Sequence, residues 1–317
     1  MRSTLPFIAP PDSPFAAEWI AALQAAMPDE RVVPLAALDE VERQACTVAV
    51  VANPRPQDLR RLPRLQWVQS VWAGVERMLA DLGQLGDGDL KIVRLVDPQL
   101  ADTMAEAVLA WTLYLHRDMP RYASQQRERL WRPLDYARPQ EKTVGLLGLG
   151  ALGEAAAGRL AAAGFNVHGW SRTLRDMAGV TCHAGDDGLA EMLASTDILV
   201  CLLPLTAQTR GLLNDSTLGR LGPRSSLINF SRGALVDDAA LKRALDHGAL
   251  RHAVLDVFAT EPLPADSWHW AHPAVTVLPH ISAPTDRQTA ARIVAANIAA
   301  YRRHDVIPAH VDRGRGY

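Results

Sequence analysis

Thr143-Val-Gly-Leu-Leu-Gly-Leu-Gly-Ala-Leu-Gly153 is an apolar run that turns through three glycines into the alanine-rich stretch 154–163. The first five residues, apolar after Thr143, make a strand, and the stretch behind them has helical spacing, so the glycines stand at a strand–helix junction. In the turn Gly148-Leu149-Gly150-Ala151-Leu152-Gly153, the first glycine permits a sharp bend. The second lets a ligand approach the backbone, and the third lets helix and strand pack closely. The N–H groups that open the helix then face outward with the positive end of its dipole, where a pyrophosphate fits. An ordinary glycine-rich turn is the alternative, and the second apolar run at 166–170 argues against it by completing a βαβ unit.

The end of that second run decides which dinucleotide is expected. An NAD site places Asp or Glu there, to accept from the ribose 2′-hydroxyl. This chain has Trp170-Ser171-Arg172-Thr173, with no acid before Asp176. A carboxylate repels a 2′-phosphate, whereas Ser171 donates to it and Arg172 pairs with it. The expected cofactor is NADP(H), with NAD(H) as the weaker fit.

Working outward, strand-like runs continue at 198–203, 226–229, 253–257 and 275–278, with helical stretches between them. Before the turn, runs at 6–9, 47–51, 65–71 and 91–95 form an earlier series. A helix is expected over 15–26, capped by Ser13 with Pro14 in its first turn, and a longer one over 101–117. Residues 121–142 are polar, aromatic and proline-bearing without clear periodicity, and read as a surface arm. Residues 286–304 close the chain as another helix. The class is α/β. The layout predicts a dinucleotide-binding domain over 99–283, inserted into a smaller α/β domain made of 1–98 and 284–317.

Composition sets outer limits. A chain of 317 residues with 48% hydrophobic and 21% charged residues has room for two domains. Its net charge of −2 offers no basic footprint for nucleic acid. Cys46, Cys182 and Cys201 are scattered, which suits neither a disulfide framework nor a thiolate metal site. Residues 1–14 lack the apolar core of a secretory signal, and no run approaches the ~18–20 apolar residues of a membrane span. The expected setting is the cytoplasm, with no membrane, nucleic-acid or metal partner.

Three polar residues follow three successive strand-like runs, where open α/β sheets bind ligands. Arg232 follows Asn229-Phe230-Ser231, Glu261 follows Leu255-Asp256-Val-Phe-Ala-Thr, and His280 follows Leu278-Pro. Reduction of a 2-ketoacid needs a fork for the carboxylate and a proton donor for the carbonyl oxygen. Arg232 supplies the first and His280 the second, while Glu261 beside His280 favours the imidazolium. Singly, each residue has a structural alternative: a cap, a turn before Pro262 and an interior histidine.

These segments, with Leu202-Leu203-Pro204-Leu205-Thr206 and Thr209-Arg-Gly-Leu-Leu-Asn214, resemble the D-isomer-specific 2-hydroxyacid dehydrogenase family. Trp170–Thr173, Gln125-Gln126 with Trp131, and the terminal 311–317 segment resemble its reductases of small 2-ketoacids. The resemblance implies a Rossmann domain set into a flavodoxin-like substrate domain. It implies Arg232, Glu261 and His280 as catalytic residues, with NADPH-dependent reduction of glyoxylate or hydroxypyruvate. It further implies cofactor contacts from Leu203, Pro204, Leu205, Thr209, Phe230, Ser231 and Ser282, with Asp256 beside the nicotinamide carboxamide. Trp72-Ala73-Gly74-Val75 resembles the family loop whose N–H groups hold the substrate carboxylate. A homodimer contacting through the 101–117 helix and the arm is implied as well. Two alternatives stay open here: an NAD-linked dehydrogenase of a larger hydroxyacid, and a dinucleotide-sensing corepressor on the same scaffold.

Overall fold

The apolar runs become strands of two separate parallel sheets. The computed structural model describes residues 3–84, 90–312 and 314. By contact the chain divides into Met1–Gln99 with Thr285–Tyr317, and Leu100–Pro284. The second unit therefore interrupts the first in sequence.

In the first unit, β1 (Ser3–Ile8), β2 (Glu30–Pro34), β3 (Val48–Val51), β4 (Trp67–Ser70) and β5 (Lys91–Val93) take the order β2-β1-β3-β4-β5. This is the flavodoxin-like order. β3 and β4 are buried at every position, as central strands covered on both faces must be. One cover is the returning helix Arg287–His304, which puts Ala290, Val294, Ile298 and Tyr301 into the core with Leu5, Val50 and Trp67. Asp286 caps that helix. Asn297 Nδ2 donates to Gln69 Oε1 (2.8 Å), and Arg302 pairs with Glu30 (3.0 Å).

The second unit contains β6 (Thr143–Leu147), β7 (Asn166–Ser171), β8 (Val180–Ala184), β9 (Ile198–Cys201), β10 (Ser226–Asn229), β11 (His252–Leu255) and β12 (Val275–Val277). Their order is β12-β11-β10-β9-β6-β7-β8, parallel throughout. The chain winds out through β7 and β8, then restarts on the other side of β6 at β9. That reversal makes the Rossmann switch point, and the carboxyl ends of β6 and β9 flank it. Among the described residues no helix is long and apolar enough to cross a membrane.

Four expectations need correction. The first helix runs Ala16–Ala26, and Phe15 stands at its cap with no side-chain bond, while the Ser13 N–H closes a turn on the Pro10 carbonyl (3.0 Å). The long helix begins earlier than read, at Pro98, and ends at His116. The arm is half helical: Met119–Glu128 forms a helix with Pro120 in its first turn. Its residues are good helix formers but polar on nearly every side, so they leave no apolar period. Finally, β2 and β8 are strands that the apolar runs do not reveal. Both lie at sheet edges and include charged or polar residues such as Arg31 and Thr181. Of the 311–317 segment, residues 313 and 315–317 lie outside the described residues.

Candidate active site

The glycine turn behaves as three different backbone demands. Gly148 has φ +103°, and a methyl group there would lie 3.1 Å from the Leu202 carbonyl. A methyl on Gly153 would lie 1.9 Å from the Gly148 carbonyl oxygen, so no side chain fits. A methyl on Gly150 would meet nothing within 4 Å. That open ground lies at the cap of helix Ala151–Ala162, where free N–H groups begin. Leu149 is buried under Gly169, while Ala151 and Leu152 start the helix.

At the end of β7, the Ser171 hydroxyl donates to the Thr173 carbonyl (2.8 Å) and Arg172 is exposed. Arg175 Nη1 donates to the Leu149 carbonyl, so a second cation reaches the glycine turn. The sequence reading missed Arg175, whose only signal was a further basic residue close behind Arg172.

The ends of β9 and β10 are tied to each other. The Ser231 hydroxyl donates to the Leu203 carbonyl, and both residues are buried, as is Phe230. Thr209 Oγ1 donates to the Pro204 carbonyl (2.7 Å), which shapes the half-buried Pro204–Leu205 corner. Asn229 then fixes Arg232: its Oδ1 accepts the Ser231 N–H (3.2 Å), and its Nδ2 donates to the Arg232 carbonyl (3.0 Å). Arg232 Nη1 donates to the Ser231 carbonyl (2.7 Å).

Gly233, the next residue, joins this loop to the one after β11. A methyl there would lie 1.9 Å from the Phe258 carbonyl carbon. The Phe258 N–H donates to Glu261 Oε1 (2.9 Å), and Glu261 Oε2 lies 2.7 Å from His280 Nδ1. His280 itself has φ +56°, a left-handed conformation held in place by Asp256. Asp256 is 2% exposed; its Oδ1 accepts the Ile281 N–H (2.7 Å), and its Oδ2 accepts the Ser282 N–H (2.8 Å) and hydroxyl. The Asp256 carboxylate thus braces the His280 loop.

The electrostatics follow from these contacts. The Glu261 hydrogen bond raises the His280 pKa above the usual histidine value, against the opposing effect of burial. Burial pushes Glu261 up, yet the His280 and Phe258 bonds outweigh it and hold the carboxyl below its usual value. Arg232 is near enough to lower both. The two groups therefore favour the ion pair over the neutral pair.

Trp72, Ala73, Gly74 and Val75 belong to the first unit, just after β4. Trp72 turns its ring edge-on to Trp19 (5.5 Å, 89°), and Val75 is buried. The N–H groups of Ala73, Gly74 and Val75 have no hydrogen-bond partner among the described residues. Among the described residues no cluster of His, Cys, Asp or Glu is arranged to hold a metal ion.

Residues 109–282 match the family profile described as D-isomer specific 2-hydroxyacid dehydrogenase, NAD binding domain. The chain belongs to this family. Glyoxylate/hydroxypyruvate reductase A of Serratia proteamaculans is 38% identical over 306 residues, 95% of this chain and 96% of that one. A D-isomer specific 2-hydroxyacid dehydrogenase from Xanthobacter autotrophicus Py2, solved with NADPH and MES, superposes with a TM-score of 0.91 at 38% identity, covering 100% of both chains. An NADPH-dependent glyoxylate/hydroxypyruvate reductase from Sinorhizobium meliloti, solved with NADP and sulfate, gives 0.89 at 35% identity, covering 99% of this chain and 100% of that one. This dehydrogenase therefore carries its dinucleotide-binding domain at the Rossmann unit described above.

Proposed function

We propose that this dehydrogenase works with NADPH as a reductase of small 2-ketoacids, glyoxylate or hydroxypyruvate. The observation that carries the proposal is the 2.7 Å pair between Glu261 Oε2 and His280 Nδ1, on a carboxylate already anchored by the Phe258 amide. An ionised Glu261 requires a proton on Nδ1, which leaves Nε2 as the ring nitrogen free to serve a substrate oxygen. His280 holds that second proton more firmly than an ordinary histidine, so it stays charged until the carbonyl oxygen takes it. Arg232, braced by Asn229 and Gly233, offers its fork to the ketoacid carboxylate.

The residues present suit the dinucleotide. Gly150 leaves open space at a helix start, and Arg172 and Arg175 bring to the end of β7 the positive charge that suits a 2′-phosphate, while the Ser171 hydroxyl is engaged on the Thr173 carbonyl. When bound, NADPH supplies the hydride that the ketone carbon accepts. The named activities and NADP complexes of the relatives support the same reading. The amides of Ala73, Gly74 and Val75, which have no hydrogen-bond partner among the described residues, have the chemistry of a carboxylate cradle.

A second copy of the chain belongs to the proposal as a partner. Trp131 is 100% exposed, with Leu130 and Tyr136 also exposed beside it, and a sizing measurement tests this. The function itself is tested by following NADPH oxidation with glyoxylate and hydroxypyruvate, repeated with NADH. Turnover with NADPH is the expected result. No turnover with either acid, or faster turnover with NADH, overturns the reading.

A further inference from the structure

His269 is a buried titratable residue that the chemistry above does not use. It lies in the turn Trp268–Trp270, on the segment that follows Glu261, and is 3% exposed. Its Nδ1 sits 2.8 Å from Ser267 Oγ. Its Nε2 is buried without a hydrogen-bond partner, 3.8 Å from Asp238 Oδ1. An unpaired buried nitrogen is a cost that an apolar side chain of similar size avoids. The ring stands edge-on to Phe258 (5.2 Å, 80°) and stacks on Trp268 (3.9 Å, 23°).

Phe258 is the residue where the reactive segments meet. Its N–H holds Glu261 Oε1, and its carbonyl carbon abuts Gly233, next to Arg232. The surroundings repeat the link. Helix Asp238–Asp246 follows the Arg232 loop and carries Asp238, Lys242 and Asp246 at four-residue spacing, which is one face. Asp238 meets His269, Lys242 Nζ lies 5.8 Å from the Trp268 ring centre, and Asp246 Oδ1 lies 3.2 Å from His272 Nε2. Three contacts thus register segment 268–272 on the helix that trails Arg232.

We propose that His269 is a positioning residue for the reaction: its ring, stacked on Trp268 and faced by Asp238, buttresses Phe258 and so fixes the Glu261 carboxylate beside His280. The proposal rests on the reading of Glu261 and His280 given above. Burial lowers the His269 pKa, with Asp238 opposing and His272 reinforcing, so the ring packs as a neutral group at neutral pH.

Three variants test it: His269→Ala, His269→Phe and Asp238→Asn. Thermal melts and NADPH titration report folding, and kcat and KM are taken across pH. NMR titration of the His280 ring, without ketoacid, reads the coupling directly. His269→Ala is expected to lower kcat by about ten- to hundredfold, as for a slightly misplaced catalytic group. KM should change little, and His280 should titrate closer to an ordinary histidine. His269→Phe, which keeps the ring, should recover most of kcat. Asp238→Asn should move the His280 titration in the same direction by less, and carries the test if the alanine variant does not fold. An unmoved His280 titration in the folded variants overturns the proposal. So does a joint loss of kcat, KM, NADPH affinity and melting temperature without that shift. The NMR measurement needs no turnover, so inactivity of the unsubstituted enzyme on ketoacids defeats the functional reading separately.

Discussion

Glu261 Oε2 and His280 Nδ1 lie 2.7 Å apart, and the other Glu261 oxygen is tied to the Phe258 amide at 2.9 Å. The anion cannot swing away from the imidazole, and His280 keeps its proton to higher pH than usual. Reduction consumes the protonated form, so kcat should be full below the raised pKa and fall as pH rises through it. Glu261→Gln removes the anion and should move that limb to lower pH. At about pH 8 its turnover should drop by roughly tenfold or more, since each pKa unit is a tenfold change in population. A kcat–pH profile identical to that of the unsubstituted enzyme would refute the coupling.

His280→Asn keeps a donor in the same place but has no proton to give. Turnover should fall by about 10²–10⁴-fold, the usual worth of a general acid. NADPH affinity, measured by fluorescence titration, should hardly move. Near-normal turnover in this variant would remove His280 from its assigned role.

The two later glycines of the turn should separate stability from binding. A methyl at Gly153 collides with the Gly148 carbonyl, whereas one at Gly150 meets no protein atom. Gly153→Ala should lower the melting temperature, by a loss of about 1–3 kcal/mol typical of overpacking. Gly150→Ala should melt almost normally yet bind NADPH more weakly. The reverse pattern in melts and titrations would contradict the geometry.

Arg172→Ala tests cofactor choice. Loss of one charge-assisted contact to a phosphate should weaken NADPH by about 10- to 100-fold. NADH, which lacks the 2′-phosphate, should lose far less. Equal losses in paired titrations would place the discrimination elsewhere.

His252 should govern acid stability. Burial drives its pKa from 6.5 down to about 4, while the ring nitrogen holds Thr276 Oγ1 at 2.8 Å. Below the unfolded value of 6.5, the unfolded chain takes up a proton that the folded chain refuses. Stability is therefore full above that pH and is lost as pH falls toward about 4, by on the order of 3 kcal/mol. Urea melts between these limits should show it, and His252→Gln should flatten the slope. A variant with the same slope would assign the effect to other groups.

The central strands were legible because burial on both faces writes a continuous apolar run, as in Val144–Leu147 and Val48–Val51. The edge strands β2 and β8 were not, since half of each meets solvent and polar residues suffice there. Arg232, Glu261 and His280 could be picked out because each follows a strand. Asn229, Gly233 and Phe258, which hold them, work through backbone atoms and close approach. Such contacts leave no mark in a one-dimensional pattern. Asp256 was visible as a residue, but the direction of its carboxylate was not.

The helix Arg287–His304 fills the core of a sheet whose strands all lie within the first 93 residues. During synthesis that sheet emerges early, and one of its apolar faces, covered only in part by helix Ala16–Ala26, must wait while nearly two hundred residues of the other unit are made. The intervening unit has all its strands in one continuous stretch and can finish first. The order of folding along the ribosome should thus run from the middle outward. Exposed apolar strands in that interval are a natural target for chaperones.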